Sequence, residues 1–345
     1  MAEILLWVLA VVVLLSVLIG LIRLYVRGGV CHCTAQLFGK TVIVTGANTG
    51  IGKETARDLA SRGARVILAC RNLDAATAAA EDIRRSHSAG SVVVMHLDLA
   101  DMRSVQTFAQ AVLENESRLD ILINNAGIMR CPKWRTAQGF EMQYGVNHLG
   151  HFLLTNLLAD LLRKTGTKDN PSRVINVSSI GHKRARLDFS DLNLEKQPDS
   201  EYNPRQVYCN SKIMNILFTL ELSLRFRATK DCHVVTSSLH PGIIRTELAR
   251  HMFKDVNRLL YLFLVPVAYL ALKSPTEGAQ TSIYLAVKPN PREDDGKYFA
   301  DCKETPCTAA AKDKTDAARL WLVSEEACKP YLQPTFTLNA AQSSM

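Results

Sequence analysis

Apolar and polar positions between residues 39 and 328 repeat in a regular alternation. Short, almost wholly apolar runs fall at 41–45, 65–69, 92–97, 120–124, 173–178 and 234–239, with a weaker one at 296–299. Stretches of helical periodicity separate them: Gly50–Arg62, an Ala-rich segment from about Asp74, Asp101–Glu114, Phe140–Arg163 and Val207–Phe226. Strands that are apolar at nearly every position are covered on both faces. A helix between each pair implies parallel pairing with right-handed crossovers. The pattern predicts an α/β protein built on a doubly wound parallel sheet, with no internal repeat.

Two apolar segments break the rhythm. Ile4–Ile22 is nineteen residues without a charge, which at about 1.5 Å per residue nearly spans a hydrocarbon core of about 30 Å. No Lys or Arg precedes it, as a cleaved signal peptide would want, whereas Arg23 and Arg27 follow it. The flanks predict a retained N-terminal transmembrane helix with the rest of the chain in the cytosol. Leu259–Leu272 is uncharged but too short to span, and reads as a buried core helix or as an interfacial or substrate-covering segment. The expected organisation is an anchor at 1–22, a linker at 23–38, a catalytic domain at 39–328 with the lipophilic insert 259–272, and a tail at 329–345, polar and frayed from about Gln333.

Composition narrows the class. The formal charge of +8 is scattered, with one short cluster at His182–Arg186, so no nucleic-acid-binding tract is present. That cluster reads as a solvated loop or as a contact for anionic lipid. The nine cysteines are irregularly spaced. Cys31-His32-Cys33 is too tight for a zinc site and has no second pair at finger spacing, so no metal is expected and the thiols read as free in a reducing compartment.

The turn Thr45-Gly46-Ala47-Asn48-Thr49-Gly50-Ile51-Gly52 lies between the first strand and the first helix. Its glycines allow a sharp turn and close approach to a pyrophosphate, and the helix start offers free N–H groups to it, as in a Rossmann fold. The second strand then ends at Cys70-Arg71-Asn72. An acid there would hold the ribose of NAD; Arg71 suits the 2′-phosphate of NADP(H), and Lys53 could add charge. An exposed loop arginine is the alternative reading. Tyr-x-x-x-Lys occurs three times, at Tyr208/Lys212, Tyr269/Lys273 and Tyr284/Lys288. Only Tyr208 opens a helix after the strand ending Ser178-Ser179. Residues i and i+4 share a helix face, so the Lys212 ammonium is expected to lower the Tyr208 phenol toward neutrality, where a general acid/base works best.

Together these motifs, in order over nearly all of 39–328, resemble the short-chain dehydrogenase/reductase family. The resemblance implies adenine contact by Asp98 in Leu97-Asp98-Leu99 and cofactor contacts from Asn125, Ala126 and Gly127 in Asn124-Asn125-Ala126-Gly127. It also implies a helix asparagine at Asn147, a catalytic Ser179 that hydrogen-bonds the substrate oxygen, and the pair Tyr208 and Lys212. Pro241, Gly242 and Thr246 in the Pro-Gly-x-x-x-Thr pattern would lie beside the nicotinamide. Asn147 would hold a water linking Lys212 to solvent. As structural alternatives, Ser179 is a strand-end cap and Asn147 a helix cap. The Ser179–Tyr208 separation is wider than the family's commonest spacing, so the loop Gly181–Gln206 is enlarged.

The stretches Thr45–Arg57, Ile121–Ile128, Gly145–Thr155, Glu277–Ile283 and Gly296–Cys302, with the apolar N-terminus, are similar to the membrane-anchored retinol dehydrogenases. The resemblance implies NADPH-dependent reduction of retinaldehyde or related lipid aldehydes at the endoplasmic reticulum, with a lipophilic substrate, membrane lipid as partner and no nucleic acid. A reductase of steroid or other lipid carbonyls is the alternative enzyme. A non-catalytic nucleotide-binding membrane adaptor is the alternative outside catalysis. Oligomeric state is not legible.

Overall fold

The computed structural model of the chain describes residues 1–86, 89–244 and 272–332. After α1 (Ala2–Arg27) come β1 (Thr41–Thr45), α2 (Gly50–Ser61), β2 (Arg65–Cys70), α3 (Leu73–Ser86), β3 (Ser91–His96), α4 (Met102–Asn115) and β4 (Ile121–Asn124). The second half runs α5 (Met142–Tyr144), a wide π-helical turn at Gly145–Leu149, α6 (Gly150–Thr165), β5 (Ser172–Val177), α7 (Pro204–Ala228) and β6 (Val234–His240). It closes with α8 (Pro275–Val287), β7 (Lys297–Ala300), β8 (Lys303–Glu304) and α9 (Lys314–Cys328).

The strands form one sheet in the order β3-β2-β1-β4-β5-β6-β7-β8, parallel except for the β7–β8 pair. The chain leaves the sheet centre in both directions from β1, so the crevice of a doubly wound sheet lies at the carboxyl ends of β1 and β4. Every residue of β1 and β4 is buried, as strands covered on both faces require. One core packs against one face through Phe152, Phe218, Phe226 and Trp321, and a second against the other through Leu59, Ile83 and Ile283.

Local signals set the helix starts. Asn203 caps α7, its Oδ1 accepting from Arg205 N and Gln206 N at 3.1 Å each, with Pro204 in the first turn. Ser274 and Glu277 form a reciprocal capping box on α8. The antiparallel edge strand β8 is too short to carry a sequence pattern, and the π-helical turn interrupts the helix expected over Phe140–Arg163.

α1 is long and apolar enough to cross a membrane, and its side chains are largely exposed. The stretch after it packs on the domain. Arg62 Nη1 donates to the carbonyl oxygen of Cys33 at 2.7 Å, Cys31 N donates to Gln280 Oε1 at 3.0 Å, and Leu37 is buried. All nine cysteines are free thiols. All of the expected insert 259–272 but Leu272, Tyr269 included, together with Thr246 and the tail from Gln333, lies outside the described residues.

Candidate active site

The carboxyl end of β1 is wired to that of β4 through one hydroxyl. Thr45 Oγ1 accepts from the backbone N–H of Asn125 and of Ala126, each at 2.9 Å, while Asn125 Nδ2 donates to the Thr45 carbonyl at 2.8 Å. Gly46 has φ +64°, the left-handed region that favours glycine. A Cβ on Gly52 would lie 2.5 Å from both Asn125 Nδ2 and the Gly46 carbonyl oxygen, so only glycine lets α2 come this close to β4. Thr49, at the N-cap of α2, makes no side-chain bond to the first turn. Those N–H groups are left to meet an anion, which is the donor set a dinucleotide pyrophosphate needs. Asn48, Gly50 and Ile51 are partly exposed along the loop. The Cys70 thiol lies against this loop; burial pushes it up to about 11, against backbone hydrogen bonds from Ala47 and Asn48.

Arg71 follows β2, exposed, and pairs with no carboxylate among the described residues. Lys53, expected as a second charge for the same phosphate, instead pairs with Asp82 of α3 at 2.8 Å, which Arg57 shares at 2.6 Å. Asp98 sits in the turn after β3, where its Oδ1 accepts from Ala100 N at 2.9 Å.

The structure brings Ser179, Tyr208, Lys212 and Asn147 together. Tyr208 and Ser179 border one space, since a Cβ on Gly181 would lie 3.5 Å from both Ser179 Oγ and the Tyr208 ring, and Ser179 Oγ caps the following turn by accepting from Gly181 N at 3.1 Å. One turn along α7, Lys212 Nζ lies 5.7 Å from the Tyr208 ring centroid and donates to the Val177 carbonyl at 3.1 Å. Asn215 Nδ2 donates to the same oxygen at 3.0 Å. Asn147, in the π-helical turn, accepts from Ile128 N through Oδ1 at 2.8 Å and donates through Nδ2 to Ile128 O at 3.0 Å and to Ser211 Oγ at 2.9 Å. A Cβ on Gly127 would lie 3.3 Å from Asn147 Oδ1 and 3.4 Å from Lys212 Nζ, so the three border one space. Pro241 and Gly242 follow β6 beside this group; His240 Nδ1 accepts from Ile180 N at 3.1 Å. Lys288 of the later Tyr-x-x-x-Lys match is spent on Asp294 at 2.8 Å.

Residues 40–190 match the short chain dehydrogenase family model. Human retinol dehydrogenase 13 is 49% identical over 304 residues, covering 88% of this chain and 89% of its own. Human retinol dehydrogenase 12 is 47% identical, covering 88% of this chain and 91% of its own. The chain belongs to the short-chain dehydrogenase/reductase family. Among solved structures, an uncharacterised protein from Mycobacterium paratuberculosis superposes with a TM-score of 0.69 at 35% identity, covering 88% of this chain and 98% of its own. The Pseudomonas aeruginosa RhlG/NADP active-site complex does so with a TM-score of 0.57 at 25% identity, over 78% and 96%. The protein is thus an oxidoreductase with a nicotinamide-cofactor fold.

Within this short-chain dehydrogenase the electrostatics differ from the sequence expectation. Tyr208 is not lowered: burial pushes its phenol up to about 12, and the Ser179 hydrogen bond and Arg130 offset only part of that. Burial also draws Lys212 down to about 8. The i, i+4 spacing brings the two side chains together, but taking both out of water costs each its charged form. Three positions were missed. Thr45 enters the sequence reading as the end of the first apolar run and the start of the glycine turn, with no role for its hydroxyl. His151 stands at i+4 from Asn147, a spacing that could have flagged it. Glu141, fully buried, accepts from the Tyr202 hydroxyl at 2.9 Å and so anchors the enlarged loop to the start of α5; burial raises its carboxyl.

Proposed function

We propose that this protein is an NADP(H)-dependent reductase of retinaldehyde or related lipid aldehydes. We further propose that α1 anchors it as a single-pass protein of the endoplasmic reticulum, with the domain in the cytosol. The observation that carries the reading is the half-buried Ser179 beside the buried Tyr208, with Lys212 one turn away. The retinol dehydrogenase relatives support the substrate class, the unpaired Arg71 supports the 2′-phosphate of NADP(H), and Arg23 and Arg27 after the apolar run support the orientation.

In this reading NADPH supplies the hydride to the aldehyde carbon. Ser179 Oγ and the Tyr208 hydroxyl hold the aldehyde oxygen between them. A phenol pushed up to about 12 remains protonated at neutral pH, the state required to give its proton to that oxygen as it becomes an alcohol. Lys212 is mostly cationic below about 8, and with Asn147 it lines the route by which Tyr208 regains its proton. Asn125, Ala126 and Gly127 would hold the nicotinamide cofactor, and Arg71 would bind the 2′-phosphate at its adenosine end. Gly46 and Gly52 keep the loop low enough for that approach.

The test is incubation with NADPH and a panel of retinaldehyde, long-chain aldehydes and ketosteroids, with the alcohols measured directly. Reduction of retinaldehyde or long-chain aldehydes at the highest kcat/KM supports the reading. Preference for ketosteroids moves the substrate class, and absence of any alcohol product overturns the enzyme reading.

A further inference from the structure

The anchor is clasped to the domain next to the candidate active site. Arg23 Nη2 pairs with Glu277 Oε1 at 2.7 Å and Nη1 donates to the Leu272 carbonyl at 3.1 Å. Gly28 and Gly29 press on the Asp301 backbone and side chain, and a Cβ on Gly28 would also meet Lys273 Nζ at 2.6 Å. Lys273 pairs with Asp301, packs its aliphatic stem on Gly242 and donates its backbone N–H to Ile243 O at 2.9 Å. His240, two residues before Gly242, accepts from Ile180 N at 3.1 Å, and Ile180 adjoins Ser179. A continuous line of contacts therefore runs from the foot of α1 to the Ser179–Tyr208 pair.

That line fixes a distance. From Ile22, the end of the uncharged run of α1, to Gly28 is six residues, or about 9 Å of helix. The headgroup layer adds roughly 5–8 Å on each side of the hydrocarbon core. The exposed Tyr25 lies between them, an aromatic at the depth where such rings settle. The domain surface around Gly28 is thus held at the membrane surface.

The rim of the site is built for such a surface. Ile180 and Ile243 are 46% and 64% exposed and present apolar tips to the outside. Lys183, Arg184 and Arg186 follow Ile180, are exposed, and pair with no carboxylate among the described residues. The nearby Asp301 is neutralised by Lys273. Apolar tips inside a cationic rim complement a leaflet with apolar interior and anionic headgroups.

We infer that the rim Ile180–Arg186, with Ile243, docks on the anionic lipid headgroups of the membrane that α1 enters, so that the Ser179–Tyr208 site opens toward the bilayer and takes its aldehyde from the lipid phase. The lipid source of that aldehyde rests on the proposed activity; the docking rests only on the proposed α1 anchor.

Full-length protein in nanodiscs of phosphatidylcholine alone, and of phosphatidylcholine with about 30% phosphatidylserine, separates the two. Backbone hydrogen exchange over residues 180–186 should slow at least about threefold in the anionic discs, and K183E/R184E/R186E should abolish that difference. Raising salt from roughly 50 to 500 mM should erase the wild-type protection, a reading that does not depend on the variant folding. KM for a long-chain aldehyde should fall by at least about threefold in anionic discs, while KM for a short water-soluble aldehyde stays the same. Equal exchange over 180–186 in both discs, or protection that survives high salt, overturns the docking. Because exchange needs no turnover, failure of aldehyde reduction alone overturns the proposed activity and leaves the docking measurable.

Discussion

The Thr45 hydroxyl lies 2.9 Å from His151 Nε2, and this contact joins the candidate cofactor loop to the helix that carries Asn147. Thr45 Oγ1 already accepts from Asn125 N and Ala126 N, and its own proton faces His151 Nε2 at 2.9 Å and, at longer range, the Ile123 carbonyl at 3.4 Å. His151 Nδ1 then carries a hydrogen, which it donates to the Asn147 carbonyl at 3.2 Å. Thr45→Val keeps the shape and leaves the Ala126 N–H and His151 Nε2 without this partner, while Asn125 N keeps the Ile123 carbonyl at 3.0 Å. At about 1–3 kcal/mol for each stranded group, a loss of roughly 2 kcal/mol or more is expected, with a higher KM for NADPH. Thr45→Ser should stay near wild type. Thermal melting and cofactor titration check both.

Acid should unfold the protein through two histidines. His148 and His151 are fully buried and neutral, each drawn down to about 3 by burial. Their folded values lie below the unfolded value near 6.5. Their contribution is therefore complete above about pH 6.5 and is lost as pH falls toward 3. Near pH 5 each should cost about 2 kcal/mol. The melting temperature should fall between pH 7 and pH 5, and His148→Gln should roughly halve that dependence. A flat profile would mean that the two rings can take up protons without cost.

Arg71 should discriminate between cofactors. A charge-assisted hydrogen bond contributes about 1.5–3 kcal/mol, or roughly ten- to a hundredfold. Arg71→Ala should weaken NADPH by that order and leave NADH nearly unchanged. Arg71→Asp should go further by repelling the phosphate. Fluorescence titration with both cofactors separates this from a loop-supporting role, which would lower both affinities together.

The sheet was readable because a parallel strand covered on both faces is apolar at nearly every inner position, as Val42–Val44, Val66–Cys70 and Ile121–Ile123 are. The site was readable where single residue types are demanded: glycine at 46 and 52, the Tyr208–Lys212 pair on one helix face. Thr45 and His151 were not, since a threonine at a strand end and a histidine in an apolar helix carry no local sign that they face each other. Nor was the clasp of Arg23 on Glu277, which links residues 254 positions apart. Tyr208's raised pKa depends on burial, which side-chain spacing does not report.

Orientation has its own reporter. Asn115 in Asn115-Glu116-Ser117 is exposed at the end of α4, whereas Asn176, in the other sequon, is buried in β5. Asn115 should remain unmodified when the chain is made with microsomes. A glycan there would put the domain in the lumen.

The central claim is that Tyr208 donates the proton in an NADPH-driven reduction, and the most direct test is NADPH oxidation at 340 nm with retinaldehyde for wild type, Tyr208→Phe and Tyr284→Phe. Loss of a general acid typically costs about 10²–10⁴-fold. Tyr208→Phe should lose that much of kcat while binding NADPH nearly as tightly, Tyr284→Phe should keep most of its turnover, and the wild type should prefer NADPH to NADH. Near-wild-type turnover by Tyr208→Phe, or wild-type preference for NADH, would contradict the account.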